Sequence, residues 1–178
     1  MISKFKPTWM IPVVYNISPS KLKDMGIKAV FSDLDNTLIP WNNPDGTPQL
    51  REWISELKKN NIELIVISNN KHSRVQRALR SLKLNFISRS LKPLPRGINK
   101  ALRDYHLNNK EVIMCGDQLL TDVWASNNAK VRSVLVKPLI ESDAWNTKPN
   151  RFLEKLIWKK LRKKYDDLNW QEDINDRN

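Results

Sequence analysis

Two aspartates one residue apart, Asp33 and Asp35, stand in FSDLDNTLIP (31–40), directly after one apolar run and just before another. Carboxylates at the end of a buried strand are costly unless a cation or a proton neutralises them. Polar side chains recur where other apolar runs stop: Ser68, Asn69 and Asn70 after the second, Lys92 beyond the third, Asp117 and Asp122 after the fourth. Crowded carboxylates call for a hard divalent cation, and oxygen donors from Asp33, Asp117 and a backbone carbonyl suit Mg2+. Beside a lysine and a serine, such a centre is equipment for clamping phosphate. While the chain stays extended, Asp33 and Asp35 point to one side, so one could attack phosphorus and the other move protons.

The elements that must position these groups alternate along the chain. Short apolar, β-branched runs at 28–33, 62–69, 85–88, 111–117 and 131–137 read as strands buried on both faces. Between them, 48–60, 72–82, 97–106 and 121–129 carry apolar residues at helical spacing, with Leu50, Trp53, Ile54 and Leu57 as one stripe. This order predicts a doubly wound α/β fold, a three-layer α/β/α sandwich around a five-stranded, mainly parallel sheet. Ligand chemistry in such sheets gathers at the carboxyl ends of the strands, where the polar residues lie. After the last strand, 151–165 reads as a basic amphipathic helix with Phe152, Leu153, Leu156, Ile157 and Leu161 on one side. The acidic residues after it read as a frayed tail.

At 178 residues the chain is most simply one domain, with a core over 24–140, an N-terminal extension (1–23) and a C-terminal helix and tail (141–178). A single cysteine, Cys115, excludes an intrachain disulfide and a Cys-rich zinc site; its place inside a strand suits a small buried hydrophobe. Pro7 and Pro12 interrupt the apolar start, so it is not read as a secretory signal, and no apolar run is long enough to span a bilayer. The expectation is a cytoplasmic protein, peripheral on the inner membrane face at most. The net charge of +12 attracts polyanions, either nucleic acid or anionic lipid.

A lone Asp-x-Asp also occurs by chance or in glycosyltransferases, Lys92 alone is an ordinary loop lysine, and Ser68 or Asn69 alone a helix cap. The ordered set is specific. DLDNT (33–37), SNN (68–70), KP (92–93) and GDQLLTD (116–122) resemble the four motifs of the haloacid dehalogenase (HAD) superfamily of phosphatases. NTLIPW, ISNN, LKPL, GDQLLTDV and DAWNTKPNR (143–151) narrow the resemblance to the YqeG family of class IIIA HAD phosphatases, over about residues 10–155.

The resemblance implies that Asp33 is the nucleophile that becomes an aspartyl phosphate and that Asp35 is the general acid/base. It implies that Ser68 and Lys92 act on the transferring phosphoryl group, with Asn36, Thr37 and Asn69 among the substrate-binding residues. Asp33, the carbonyl of Asp35 and Asp117 would hold Mg2+, and Asp122 would support the metal's waters or orient Lys92. One departure is WASNNAK (124–130), where the family has a Gly-Asn-Arg stretch; it bears on helix packing or a substrate contact rather than on the reaction.

Neither gap between the first three motifs has room for a cap domain, and an open cleft suits a phosphate presented on something large. The YqeG family is similar to mitochondrial and plastid phosphatases that convert phosphatidylglycerophosphate to phosphatidylglycerol. The leading expectation is therefore that activity, on an anionic phospholipid at a membrane surface. A soluble nucleotide or sugar phosphate is the enzymatic alternative. A nucleic-acid or ribosome-associated module is the rival of another class, disfavoured because no stacking platform or reader motif is present. The helix at 151–165 and the stretch FKPTWMIPVVY are each read two ways, as cover for the core or as contacts with a bilayer.

Overall fold

The computed structural model describes residues 2–40, 46–140 and 148–175, with 148–152 described by backbone alone. Residues 143–147 of the DAWNTKPNR match, the side chains of its remainder and of Phe152, and most of the PWNNPDGTP turn (40–48) lie outside the described residues. Six strands form one sheet: β1 (Trp9–Ile11), β2 (Ala29–Ser32), β3 (Glu63–Ile67), β4 (Asn85–Ile87), β5 (Val112–Gly116) and β6 (Arg132–Val136). Their order is β1-β6-β5-β2-β3-β4, and every pairing is parallel.

The expected five strands are thus joined by a sixth from the N-terminal extension. Trp9 pairs with Val134 and Ile11 with Val136, and all three residues of β1 are buried. Prolines tolerate only edge positions, which is why three residues between Pro7 and Pro12 form an edge strand. The stretch FKPTWMIPVVY covers the end of the sheet through these residues.

Alternation along the strands divides the core. Val30, Val66, Ile113 and Val134 face one layer, with Leu50, Trp53 and Leu57 of α2 (Pro48–Lys59) and Leu22 of α1 (Pro19–Asp24). Val75 and Ala78 of α3 (His72–Ala78) join that layer. Phe31, Ile65, Ile67 and Met114 face the other, with Ile98 and Ala101 of α4 (Arg96–Asp104) and Ala125 of α5 (Trp124–Asn128). Burying each large side chain of the α2 stripe is worth about 1.5–3 kcal/mol. Cys115 lies wholly in this core, and burial pushes its thiol well above the usual range.

Two helices begin where their caps dictate. Ser18 Oγ accepts from the Lys21 N–H at 3.4 Å and Thr47 Oγ1 from the Leu50 N–H at 3.2 Å, each followed by proline in the first turn. The described residues between β2 and β3 hold only α2, and those between β3 and β4 only α3, so they contain no cap domain.

The last helix, α6 (Lys148–Lys164), buries Leu161 with Phe5, Met10 and Leu135, while Leu153 and Leu156 stay about half exposed. Beyond it, residues 165–175 are not frayed. Gln171 N–H donates to Met10 O at 2.8 Å, Trp9 Nε1–H donates to Asn175 O at 2.8 Å, and Ile174 is wholly buried. Asp173 accepts from Ser18 N–H at 3.0 Å and pairs with Lys21 at 2.9 Å. The acidic residues that suggested a solvated tail are what pin it across the basic N-terminal segment. Among the described residues, no helix is long and apolar enough to cross a membrane.

Candidate active site

The chain runs outward from β2 through β3 to β4, then crosses back to β5 and β6 on the other side. Loops leaving β2 and β5 therefore part in opposite directions and open a crevice at their carboxyl ends. Asp33 follows β2 and Asp117 follows β5, so the strand order itself brings the first and fourth motifs together.

Lys92 is the centre of the buried half. Its Nζ lies 2.6 Å from Asp33 Oδ1 and 2.7 Å from Asp122 Oδ1, with its side chain only 3% exposed. Burial alone would lower its pKa, but the carboxylates of Asp122 and Asp33 outweigh that and hold it above the ordinary lysine value. Burial pushes Asp122 above the carboxylate range, against the opposing pull of Lys92. Asp122 Oδ2 also accepts from the Gln118 N–H at 3.1 Å. A Cβ on Gly116 would lie 2.3 Å from Asp122 Cγ, so only glycine lets that carboxylate lie against the end of β5.

The loop carrying Lys92 is held by groups that spacing alone does not single out. Asn69 donates to Lys92 O at 2.9 Å and accepts from Lys92 N–H at 2.8 Å, while Ser90 Oγ donates to Asn69 Oδ1 at 2.8 Å. The amide expected to meet substrate is committed instead to the backbone of the lysine. Gly97 N–H donates to Ser90 O at 3.1 Å, and a Cβ there would sit 2.4 Å from Ser90 Cβ, so α4 starts tight against this loop. Ser68 does not cap α3, whose preceding residue Lys71 makes no side-chain cap bond; its Oγ accepts from the Asn70 N–H at 3.1 Å.

Asp35 has different company. Its Oδ1 lies 2.6 Å from an Arg74 guanidinium nitrogen and its Oδ2 accepts from Asn70 Nδ2 at 2.6 Å. Partial burial raises its pKa above the ordinary aspartate value, Arg74 opposes the rise, and the charge of Asp33 adds to it. β2 ends at Ser32 and the chain bends at Leu34, between the two aspartates, before turning at Asn36 with φ of 62°, so the extended conformation that would send both aspartates one way is already lost before Asp35. Asn36 keeps a buried Oδ1 with no hydrogen-bond partner among the described residues. Thr37 Oγ1 donates to Asp117 Oδ1 at 3.4 Å. Arg74 escaped the sequence reading because an arginine one turn into a surface helix looks like any solvated cation.

One carboxylate oxygen from each of Asp33, Asp117 and Asp122 lies within 4.8 Å of the others. This all-oxygen set fits a hard divalent cation. The Asp35 carboxylate stands outside the set, and both Asp122 oxygens are already engaged by Lys92 and the Gln118 N–H.

The WASNNAK segment packs rather than reacts. Lys4 Nζ lies 3.7 Å from the Trp124 ring centroid, Phe5 meets the same ring edge-on, and Asn127 Nδ2 donates to Lys4 O at 2.7 Å. Asn128 Nδ2 reaches Pro93 O at 3.2 Å, and Ser126 Oγ donates to Asp122 O at 2.6 Å. The segment thus ties residues 4–6 and the Lys92 loop to α5.

The pattern of the family described as Haloacid dehalogenase-like hydrolase matches residues 4–136. Over 173 residues the chain is 36% identical to "Probable phosphatase YqeG" of Bacillus subtilis (strain 168), covering 97% of this chain and 100% of that protein. Similar solved structures include NagD from E. coli K-12, at TM-score 0.53 and 13% identity over 65% of this chain and 90% of that one. Another is the cobalt-bound deoxy-D-mannose-octulosonate 8-phosphate phosphatase of Haemophilus influenzae, at TM-score 0.50 and 15% identity over 77% and 90%. A third, an uncharacterized protein from Listeria monocytogenes serotype 4b, gives TM-score 0.53 and 15% identity over 75% and 99%. At these identities the solved structures speak for the fold, while the relative and the family pattern speak for descent. The chain belongs to the haloacid dehalogenase-like hydrolases, as a phosphatase of the YqeG family.

Proposed function

We propose that the protein is a Mg2+-dependent, class IIIA phosphomonoester hydrolase that works through an aspartyl phosphate on Asp33 and takes phosphatidylglycerophosphate to phosphatidylglycerol. The observation that carries the chemistry is Lys92, a buried ammonium bonded at once to Asp33 and Asp122. Two of its three N–H bonds are spent on carboxylates, and the third is left for a phosphoryl oxygen. Asp122 orients it.

In the first half-reaction an Asp33 oxygen attacks phosphorus, the bond from phosphorus to the ester oxygen breaks, and Asp35 gives its proton to the leaving alkoxide. The raised pKa of Asp35 suits it to carry that proton. In the second, water attacks phosphorus, Asp35 takes the water's proton, and the Asp33–phosphorus bond breaks to release inorganic phosphate. Ser68 Oγ accepts from the Asn70 N–H, which leaves its own proton to donate to the phosphoryl group. Thr37 fixes Asp117, and Asn69 positions Lys92 through the loop backbone. A divalent cation on Asp33, Asp117 and the Asp35 carbonyl would neutralise the crowded carboxylates and polarise a phosphoryl oxygen.

The lipid half of the reading is supported by the open cleft and by the +12 charge, which favours anionic surfaces. Vesicles containing phosphatidylglycerophosphate should release phosphate in the presence of protein and Mg2+. Chelation should stop the release, added Mg2+ should restore it, and Asp33→Asn should abolish it. Brisk release from nucleotide or sugar phosphates with none from the lipid would overturn the substrate and leave the chemistry.

A further inference from the structure

Among the described residues, five large apolar side chains stand exposed: Leu91, Leu94, Leu153, Leu156 and Trp170. Four of them border the cleft's own loops. Leu91 and Leu94, 48% and 58% exposed, flank Lys92. Leu153 and Leu156 flank Glu154, a buried carboxylate that accepts from the Leu120 N–H at 3.1 Å, in the turn between Asp117 and Asp122. Single exposed leucines are ordinary, but two pairs of them, each beside a loop that carries residues of the site, mark a partner.

Between residues 2–5 and α6 lies an apolar groove of about 460 Å³, lined by Phe5, Leu120, Leu153 and Leu156, with Lys4 and Lys160. The helix that forms one wall also exposes Lys155, Lys159, Lys163 and Lys164. Its buried anchor is Leu161, so the helix packs on the fold and still offers an apolar strip with cations beside it. Nucleic acid would use the lysines but has no use for the leucines. A neutral apolar partner has no use for the lysines. Both are used by a surface with an acyl interior and anionic headgroups.

We propose that this face docks the protein on an anionic lipid bilayer. Leu153 and Leu156 enter the boundary between headgroups and acyl chains, the lysines lie among the headgroups with their stems along the apolar layer, and Leu91 and Leu94 seat the mouth of the cleft. Docking so placed delivers a headgroup phosphate to Lys92 without removing the lipid from its layer. The inference deepens the lipid reading of the substrate and rests on it for its purpose.

The test uses the whole protein with vesicles of phosphatidylcholine alone or mixed with phosphatidylglycerol. Wild type should sediment with the mixed vesicles only, and less at high salt. Leu153→Ser with Leu156→Ser, and separately Lys155→Gln with Lys159→Gln and Lys160→Gln, should each weaken that binding by about tenfold or more. Neither set should change phosphate release from soluble p-nitrophenyl phosphate, which shows that the fold and the chemistry are intact. Sedimentation unchanged by both sets would overturn the docking face, as would RNA binding that displaces the vesicles and ignores the leucine pair. If the leucine pair matters for sedimentation yet the bound protein releases nothing from phosphatidylglycerophosphate, the docking stands and the substrate falls. If lipid turnover proceeds with no dependence on either set, the substrate stands and the docking falls.

Discussion

The two sides of the cleft hold their aspartates by different means. On the β5 side, Asp33 and Asp122 share the ammonium of Lys92 where side-chain exposure is 3% for both Lys92 and Asp122. On the α3 side, Asp35 is held by Arg74, which is 46% exposed, and by the amide of Asn70. Water can replace a lost partner on the second side and cannot reach Asp122 on the first. The difference separates a fixed electrostatic frame from an adjustable arm, and the proton-carrying role proposed for Asp35 suits the arm.

The most damaging break is Lys92→Met. It leaves the buried Asp122 carboxylate unpaired beside the partly exposed Asp33, so phosphate release should fall by about 100- to 1,000-fold and stability by about 3–5 kcal/mol, read by urea unfolding. A variant that unfolds like wild type would erase the contrast between the sides. Gly116→Ala strikes the same frame without removing a charge. The new Cβ collides with Asp122, and a loss of about 1–3 kcal/mol is expected together with weakened turnover.

Arg74→Gln tests the other side. Stability should change by less than about 1 kcal/mol, while turnover should fall on the order of tenfold because Asp35 loses its fixed orientation. A collapse in stability to match Lys92→Met would show that the arm is a second frame.

The smallest effect sharpens the scale from the far end of the same strands, where Lys28 pairs with Glu111 at 2.6 Å on the surface. Hydrogen bonding by Lys28, then by the Asn108 backbone, lowers the Glu111 pKa. The folded chain thus holds that charge more firmly than the unfolded one. Its contribution is present above the ordinary glutamate pKa of about 4.3 and is lost as pH falls through the lowered value. Glu111→Gln should lower the melting temperature slightly at neutral pH, with the gap closing on acidification. A gap that persists in acid would assign the loss to packing.

What could be read in the sequence follows from these physics. Strands buried on both faces write themselves as apolar runs, and β2 to β6 were legible for that reason. The three residues of β1 were not, because a pair of prolines hides so short an edge strand. The motif residues announce themselves by standing where apolar runs stop. Their supports do not: Arg74 on a helix surface, Ser90 in a loop and Gly116 beside a cysteine have meaning only once a carboxylate or a backbone oxygen is seen against them. The fraying expected of 166–178 is not seen in the described residues 166–175, for a related reason. Charge density predicts solvation only until an opposite charge far along the chain, here Lys6 and Lys21, comes to meet it.

The seam where Trp9 meets Asn175 has a meaning for synthesis. β1 is made before the other five strands of its sheet, yet the residue beside it bonds to Ser133, 125 positions on, and its own indole waits for a partner 166 positions on. Throughout that interval Trp9, Met10 and Ile11 are an apolar segment with both edges unsatisfied, the kind of sequence that pairs with neighbours or is held by a chaperone. The stretch that follows α6 is thus what retires the hazard of β1, long after that strand is made.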